Sequence, residues 1–588
     1  MGIPRLKRYL EPLAERAGIP PCELVIDGPA LAYHILGCCM KGVRSRTPHD
    51  QPSNEQLGQT AVAWLDQIQA CGLSVSAIYF DGFLPEWKHE ERINRLLKLS
   101  QNLRVYYEDC PAGIPTESPS TKRAYSWGAF SKGTLTKTPP PPPFLVPAII
   151  DALCNSARYA SLTTVKPGEA DVFCAGHVRE HGGTVLTSDS DLLVYDLGSD
   201  SSVIFFSDIE INTASDVLTA LSFRPSDICK RLSIKSANGL RRLAFEIVLD
   251  CHQTLEQAAE RTRREAGTQS FPRDYSKFLE QYFTPVTASI TENLSLDPRM
   301  SELVLQCIYK PTEQAANNSE LAMHLPFLLD SPLRTSAWEA SKPIRQLVYG
   351  LVVSLKERQR GPSPSVSEYR RLQTPTRGTR IDVPHPASVF EQQVAAFLDV
   401  LSRIGSSVSD QMIIWTIVAI HQDILLALHQ GKTNPLSLEL LRQGAVGTLN
   451  DHSWDFLHFL AQVQATYYSL RMLRQSVDFT TNRGGSLSDT MAKLGLQIST
   501  LPQLADFPSA KTFAGLLDTV KEAGGLSCLA ALSSDYKGIV RQIEAIQAPP
   551  QDPIQEKYKA PKRKINTEHG WRAGTSPRNP FGVLPVSE

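Results

Sequence analysis

Over about the first 285 residues, short apolar or β-branched runs alternate with amphipathic stretches. Glu23–Asp27, Ser76–Asp81, Thr184–Ser188 and Ser202–Phe206 each hold such a run between turn-forming residues, and each predicts a strand. Helical spacing between them predicts helices at Asn54–Ala70, Glu86–Leu99, Phe144–Ala157 and Gly168–His181. This alternation predicts an α/β fold with a mostly parallel sheet flanked by helices. In such folds ligands gather beyond the carboxyl ends of the strands. Residues 102–143 break the rhythm and end in five prolines, Pro139–Pro143. Proline lacks a donor and fixes φ, so the stretch is expected to be a disordered insertion with a stiff exit.

From 286 to 545 the pattern turns helical, with Phe390–Leu401, Asp410–His429 and Ser453–Met472 as the clearest segments, and a large all-α C-terminal region is predicted. Pro- and Ser-rich Gly361–Ser367 and Gln373–Pro386 punctuate it. Residues 546–588 have little apolar periodicity and predict a disordered basic tail. The run Met412–Ile420 is followed at once by His421, Gln422 and Asp423. It falls short of the roughly 18 apolar residues of a membrane span, so it reads as a buried helix and no membrane partner is expected.

Composition narrows this picture only slightly. The chain has 588 residues, with 60 Lys+Arg against 61 Asp+Glu. That balance excludes a generically cationic nucleic-acid binder but leaves room for local basic patches. The polar start MGIPRLKRYLEPL does not suit a secretory leader. Eleven cysteines without a C-x-x-C pair suggest reduced thiols. A cytoplasmic or nuclear protein is expected, and Lys557, Lys559, Lys562, Arg563 and Lys564 favour the nucleus.

Carboxylates follow or adjoin the predicted strands at four places. They are Asp27 before Gly28, Asp81 before Gly82, Glu169 with Asp171, and Asp189 with Asp191. Acids at strand ends of a parallel sheet can converge on one crevice, where they repel one another unless cations neutralise them. Oxygen donors of this kind suit Mg²⁺ or Mn²⁺, and two such ions are the usual apparatus for phosphodiester hydrolysis. Taken singly, each acid pair is more often turn chemistry. Lys88 and Arg95 lie seven residues apart, close to two helical turns, so they project from one face, either toward a phosphate or toward solvent.

These residues resemble the flap-endonuclease/XPG-type nucleases, which have a PIN-like fold. The start Met1-Gly2-Ile3-Pro4-Arg5-Leu6, Val25-Ile26-Asp27-Gly28 with Leu31-Ala32-Tyr33, and Tyr79-Phe80-Asp81-Gly82 with Pro85 and Lys88 are similar to the family's opening blocks. Gly168-Glu169-Ala170-Asp171 and Ser188-Asp189-Ser190-Asp191-Leu192-Leu193 resemble its internal block. The long helical C-terminal region, Leu325–Asp330, Trp338 and Arg345-Gln346-Leu347 resemble the Asteroid-type branch.

By that resemblance Asp27, Asp81, Glu169, Asp171, Asp189 and Asp191 hold two Mg²⁺ or Mn²⁺ ions, and Lys88 and Arg95 contact phosphate. The free N-terminus with Gly2 lies near the site. A further family aspartate corresponds to Asp250, although Leu243–Asp250 reads equally well as helix and no glycine-rich duplex anchor follows. The insertion takes the place of the family's arch. Its Lys122, Arg123 and Lys132, interleaved with Tyr125, Trp127 and Phe130, suit single-stranded nucleic acid, or else form a solvated loop.

The resemblance implies a metal-dependent structure-specific nuclease acting on branched or single-stranded DNA, with a place in DNA repair. The alternatives are an RNA endonuclease, or a weakly active or inactive scaffold binding protein partners through the helical region. His34, His177 and His181 lack an H-E-x-x-H context and read as core or surface residues.

Overall fold

The central sheet of the computed structural model contains β1 (Glu15–Gly18), β2 (Glu23–Asp27), β3 (Ser74–Asp81), β4 (Thr163–Lys166), β5 (Thr184–Thr187), β6 (Ser202–Phe205), β7 (Glu210–Asn212) and β8 (Val217–Phe223). The structure describes residues 2–548 except 4, 20, 44–46, 85–87, 115–138, 213–216, 236–238, 283–295, 309–320, 355–364, 372–377, 384–386 and 483–487. Across the sheet the order is β1-β8-β6-β5-β2-β3-β4, and β7 pairs with β8. The run from β6 to β4 is parallel, as the alternating pattern predicts. β1, β7 and β8 form an antiparallel flank.

Burial on both faces explains the continuous apolar runs of β5 and β6. Alternate residues of β2 serve opposite cores. Leu24 and Ile26 pack with the helices α2 (Gly28–Met40), α3 (Asn54–Ala70) and α5 (Leu145–Cys154). Val25 packs on the other face with α6 (Ala170–His181) and the helix Gly239–Leu249. α1 (Leu6–Leu10) joins that second face, while α4 (His89–Asp109) leaves the sheet beyond Asp81. α2 holds His34, as expected of a helical residue, but its bounds could not be read because the largely apolar sequence GPALAYHILGCCM has no clear polar stripe.

The expected insertion is shorter on both sides than its sequence suggests. α4 continues through Asn102 to Asp109 because Leu103 and Tyr106 are buried in the core. Pro140 and Pro142 are also buried, and Gln51 Nε2 donates to Pro140 O at 2.5 Å. Lack of a donor is harmless for a proline run whose carbonyls are satisfied by neighbours.

The C-terminal region is mostly helical, but it also contains a small sheet in the order β11-β10-β9, formed by β9 (Leu321–His324), β10 (Ser365–Tyr369) and β11 (Thr379–Asp382). Strands this short and polar carry almost no periodic signal. β10 is held from inside by Arg345, which reaches Glu368 at 2.6 and 2.9 Å with both groups fully buried. The apolar helix Gln411–His429 is a core element, with Ile413 to Ile424 buried. Residues 1–547 pack as one compact unit. Arg471, on the long helix Trp454–Asn482, grips Asp151 of α5 at 2.7 and 2.8 Å, and Asp297 at 2.8 and 3.0 Å.

Candidate active site

Parallel register brings the acids together. Asp27 and Asp81 end the neighbouring strands β2 and β3, and Ile26 pairs with Leu186, which puts Thr187 beside Asp27. Thr187 Oγ1 donates to Asp27 Oδ2 at 2.6 Å and accepts from the Asp189 N–H at 2.9 Å. One hydroxyl therefore positions two acidic residues. Asp27 also caps α2, accepting from the Ala30 N–H at 3.3 Å. Asp81 Oδ1 accepts from the Ala170 N–H at 2.7 Å, which draws the start of α6, with Glu169 and Asp171, to the same place.

The first residues of the chain complete the wall. The Ile3 N–H donates to Asp191 Oδ1 at 2.8 Å, and Ser190 Oγ donates to Ile3 O at 3.3 Å. Gly2 adopts φ +90°, and a Cβ there would lie 2.3 Å from both Asp189 Oδ1 and Ser190 Oγ. Glycine is required twice over, by backbone conformation and by space.

Electrostatics mark these acids as one group. Burial, opposed by the Thr187 hydrogen bond and aided by the charges of Asp81 and Asp189, pushes Asp27 up to about 7. Burial likewise lifts Asp191 to about 7, with Asp189 adding to the rise and the Ile3 N–H opposing it. Asp171 stands well above the ordinary carboxylate range, through burial and then the charges of Asp27, Asp189, Asp81 and Glu169. Glu169 and Asp81 are raised by burial, while Lys88 opposes the rise at both. Such a set is stable at neutral pH either with protons or with cations among the oxygens. The donors are all hard carboxylate oxygens, and they fit Mg²⁺ or Mn²⁺.

Among the expected cations, the structure brings Lys88 to the acids and leaves Arg95 outside. Lys88 Nζ lies 2.9 Å from Glu169 Oε1. It caps α4 in a helical conformation and lies 3.9 Å from Glu91, beside which Arg95 also lies, so the two cations share one side of the helix. Arg95 is 53% exposed and pairs with Glu91. Arg92 and Arg299 take the interior position instead, and both favour the charged form of Asp81. Glu302 holds Arg92 in a two-bond pair and lies 3.6 Å from Arg299. The helix that carries Arg299 and Glu302, Pro298–Ile308, abuts the strand end, since a Cβ on Gly82 would meet Ser301 Oγ at 2.9 Å. Sequence reading missed Arg299 because some 200 residues separate it from Asp81, with no motif to connect them. It missed Thr187 because a threonine at a strand end is ordinary strand composition.

Asp250 is not brought to the cluster. It follows the helix Gly239–Leu249, is exposed, and accepts from the His252 N–H at 2.9 Å. The amphipathic helix reading of this segment prevails because its apolar face is buried. Lys122, Arg123 and Lys132 lie outside the described residues. His34 is a core residue stacked on Phe206 at 4.8 Å, and burial lowers it to about 4. His177 shares a hydrogen bond with Tyr79 Oη at 2.9 Å. Beside the acids runs a cleft of about 470 Å³ whose lining includes Tyr79, Lys166, Phe173, His177, Tyr195 and Tyr282. Lys166 Nζ lies 5.1 Å from the Tyr79 ring centre and 5.5 Å from that of Phe173.

A family described as "XPG domain containing" matches residues 141–383, a span that takes in Glu169, Asp171, Asp189 and Asp191 and continues past residue 285. Asteroid homolog 1 of Schizosaccharomyces pombe is 24% identical over 366 residues, covering 59% of this chain and 60% of that protein. The chain thus spans about three fifths of this curated relative's length. Among solved structures, the catalytic core of Rad2 in complex with a DNA substrate covers 48% of this chain and 80% of its own, at 14% identity and a TM-score of 0.25, too slight a likeness to argue from.

Proposed function

We propose that this chain, an XPG-domain protein of the Asteroid type, is a metal-dependent nuclease that hydrolyses phosphodiester bonds in branched or single-stranded nucleic acid. The observation that carries the reading is the convergence of Asp27, Asp81, Glu169, Asp171, Asp189 and Asp191, with burial and mutual repulsion raising the pKa of most of them. Divalent cations bound there would activate water and stabilise charge on the leaving oxygen.

The protein's own groups do the rest. Asp27 and Asp81 are fixed by Thr187 and by the Ala170 N–H, so their oxygens are already oriented before anything binds. Pre-orientation of this kind avoids a reorganisation cost during reaction. Lys88 now neutralises Glu169 and is the cation nearest to hand for a phosphate arriving at the acids. Arg92 and Arg299, both held by Glu302, favour the charged form of Asp81. The neighbouring cleft offers Lys166 with aromatic rings, a surface suited to a nucleic-acid strand.

Purified protein with Mg²⁺ or Mn²⁺ is to be tested on end-labelled flap, nicked and single-stranded DNA and on RNA. Wild type should cut at least one of them, and Asp189→Ala should not. If the two behave alike on every substrate, hydrolysis at this site is excluded. Metal binding without cleavage would favour the scaffold role, to which the placement of Asp250 away from the acids also lends weight.

A further inference from the structure

A second group of metal-binding side chains lies away from the acids. His49 sits on the single turn Pro48–Asp50 of the α/β half, while Asp451 and His452 precede the helix Trp454–Asn482. One ligand atom from each of the three lies within 4.8 Å of the others. The two imidazoles stack with centres 4.3 Å apart and planes 23° apart. His452 Nε2 is 3.7 Å from Asp451 Oδ1.

The second observation concerns what these rings lack. Both nitrogens of His49 and Nδ1 of His452 are buried and make no hydrogen bond among the described residues. A neutral imidazole carries one donor and one lone pair, and native proteins seldom bury both unpaired. Protonation is no remedy, because two stacked cations would repel. Burial, and then His452, hold His49 below the usual histidine range, and this keeps it in the neutral form that binds metal.

We propose that His49, His452 and Asp451 form a binding site for a borderline divalent cation of the Zn²⁺ class, distinct from the acid cluster. Two imidazole nitrogens and one carboxylate oxygen are the donor set such an ion prefers, with a water completing the shell. Metal–ligand bonds near 2.1 Å put donor atoms about 3.4 Å apart, so binding would draw the three ligand atoms closer and turn the stacked rings until their in-plane lone pairs meet at the ion. Asp451 is 46% exposed and leaves a path for entry. The ion would clamp two segments some 400 residues apart in sequence, in a place already tied by the Ile114 N–H to His452 O at 2.8 Å.

Chelator-stripped full-length protein is titrated with Co²⁺, read by its visible absorption, and then with Zn²⁺ in competition. One equivalent should produce the band of low-coordinate Co²⁺, and Zn²⁺ should bleach it and raise the melting temperature. Changes beyond the first shell already cost about 10–100-fold in affinity, so His49→Gln and His452→Gln should each weaken binding by at least about 100-fold. Asp189→Ala should leave the Co²⁺ band intact. Asp451→Asn, at a half-exposed position, gives the same test if the histidine variants fail to fold. Absence of a Co²⁺ band, or a band that survives in a folded histidine variant or, where neither folds, in Asp451→Asn, overturns the proposal.

Discussion

Gly2 has no space for a side chain, and that single restriction ties the chain's first residues to the acid cluster. Gly2→Ala would drive a methyl into Asp189 Oδ1 and Ser190 Oγ, both 2.3 Å from the added atom. Displacements of about 1 Å at a reacting centre cost about 100-fold in rate. Steady-state cleavage by Gly2→Ala should therefore fall by about that factor while its circular dichroism matches wild type. Unchanged cleavage would detach the N-terminal residues from the site. At this scale the acids were readable in the sequence, because a carboxylate that closes an apolar run is conspicuous. The groups that aim them were not. Thr187 and the backbone donors of Ala170 and Ile3 become visible only when strand register brings them to the carboxylates.

α4 carries two cations along one side, each beside Glu91, and they differ in what else they reach. Lys88 stands at its N-terminal edge beside Glu169, and Arg95 stands in solvent with Glu91. Lys88→Met should lower kcat by about 10²–10³-fold, as removal of a group that stabilises transition-state charge does. Arg95→Met should stay within about twofold, as exposed substitutions do. The reverse ranking would mean that α4 rearranges when substrate binds. Among the elements, β2, β3, β5 and β6 were legible as short apolar or β-branched runs bounded by turn residues, and the helices α3 and α6 by their spacing. The bounds of α2 were not, for want of a clear polar stripe, and β10 and β11 were hidden in or beside stretches whose prolines and serines read as punctuation. The proline run reads as a stiff exit from the insertion, and its burial was missed because composition does not reveal where Pro140 O finds its donor.

The two halves of the molecule are joined by buried charge. Arg471 binds Asp151 on one side and the fully buried Asp297 on the other. Removing one partner from such a group strands the others, at a cost of about 3–5 kcal/mol. Denaturant unfolding of Arg471→Met should show a loss near the lower figure, since Arg471 and Asp151 retain some solvent; a loss below about 1 kcal/mol would make the clasp incidental. Sequence showed both halves but not this joint, because nothing local distinguishes Arg471 from its neighbours on a long helix. The acid cluster has a consequence at the same scale. Protons held by Asp27 and Asp191 up to about 7 are released by the unfolded chain at its ordinary carboxylate pKa. Metal-free protein should therefore lose stability as pH rises through that interval, and bound metal should offset the loss. Mn²⁺ binding measured between about pH 6 and 8 tests this most directly, because metal must displace those protons. Affinity should climb with pH, level off above about 7 and vanish in Asp171→Asn; binding that is absent, or indifferent to Asp171→Asn, would contradict a metal-holding acid site.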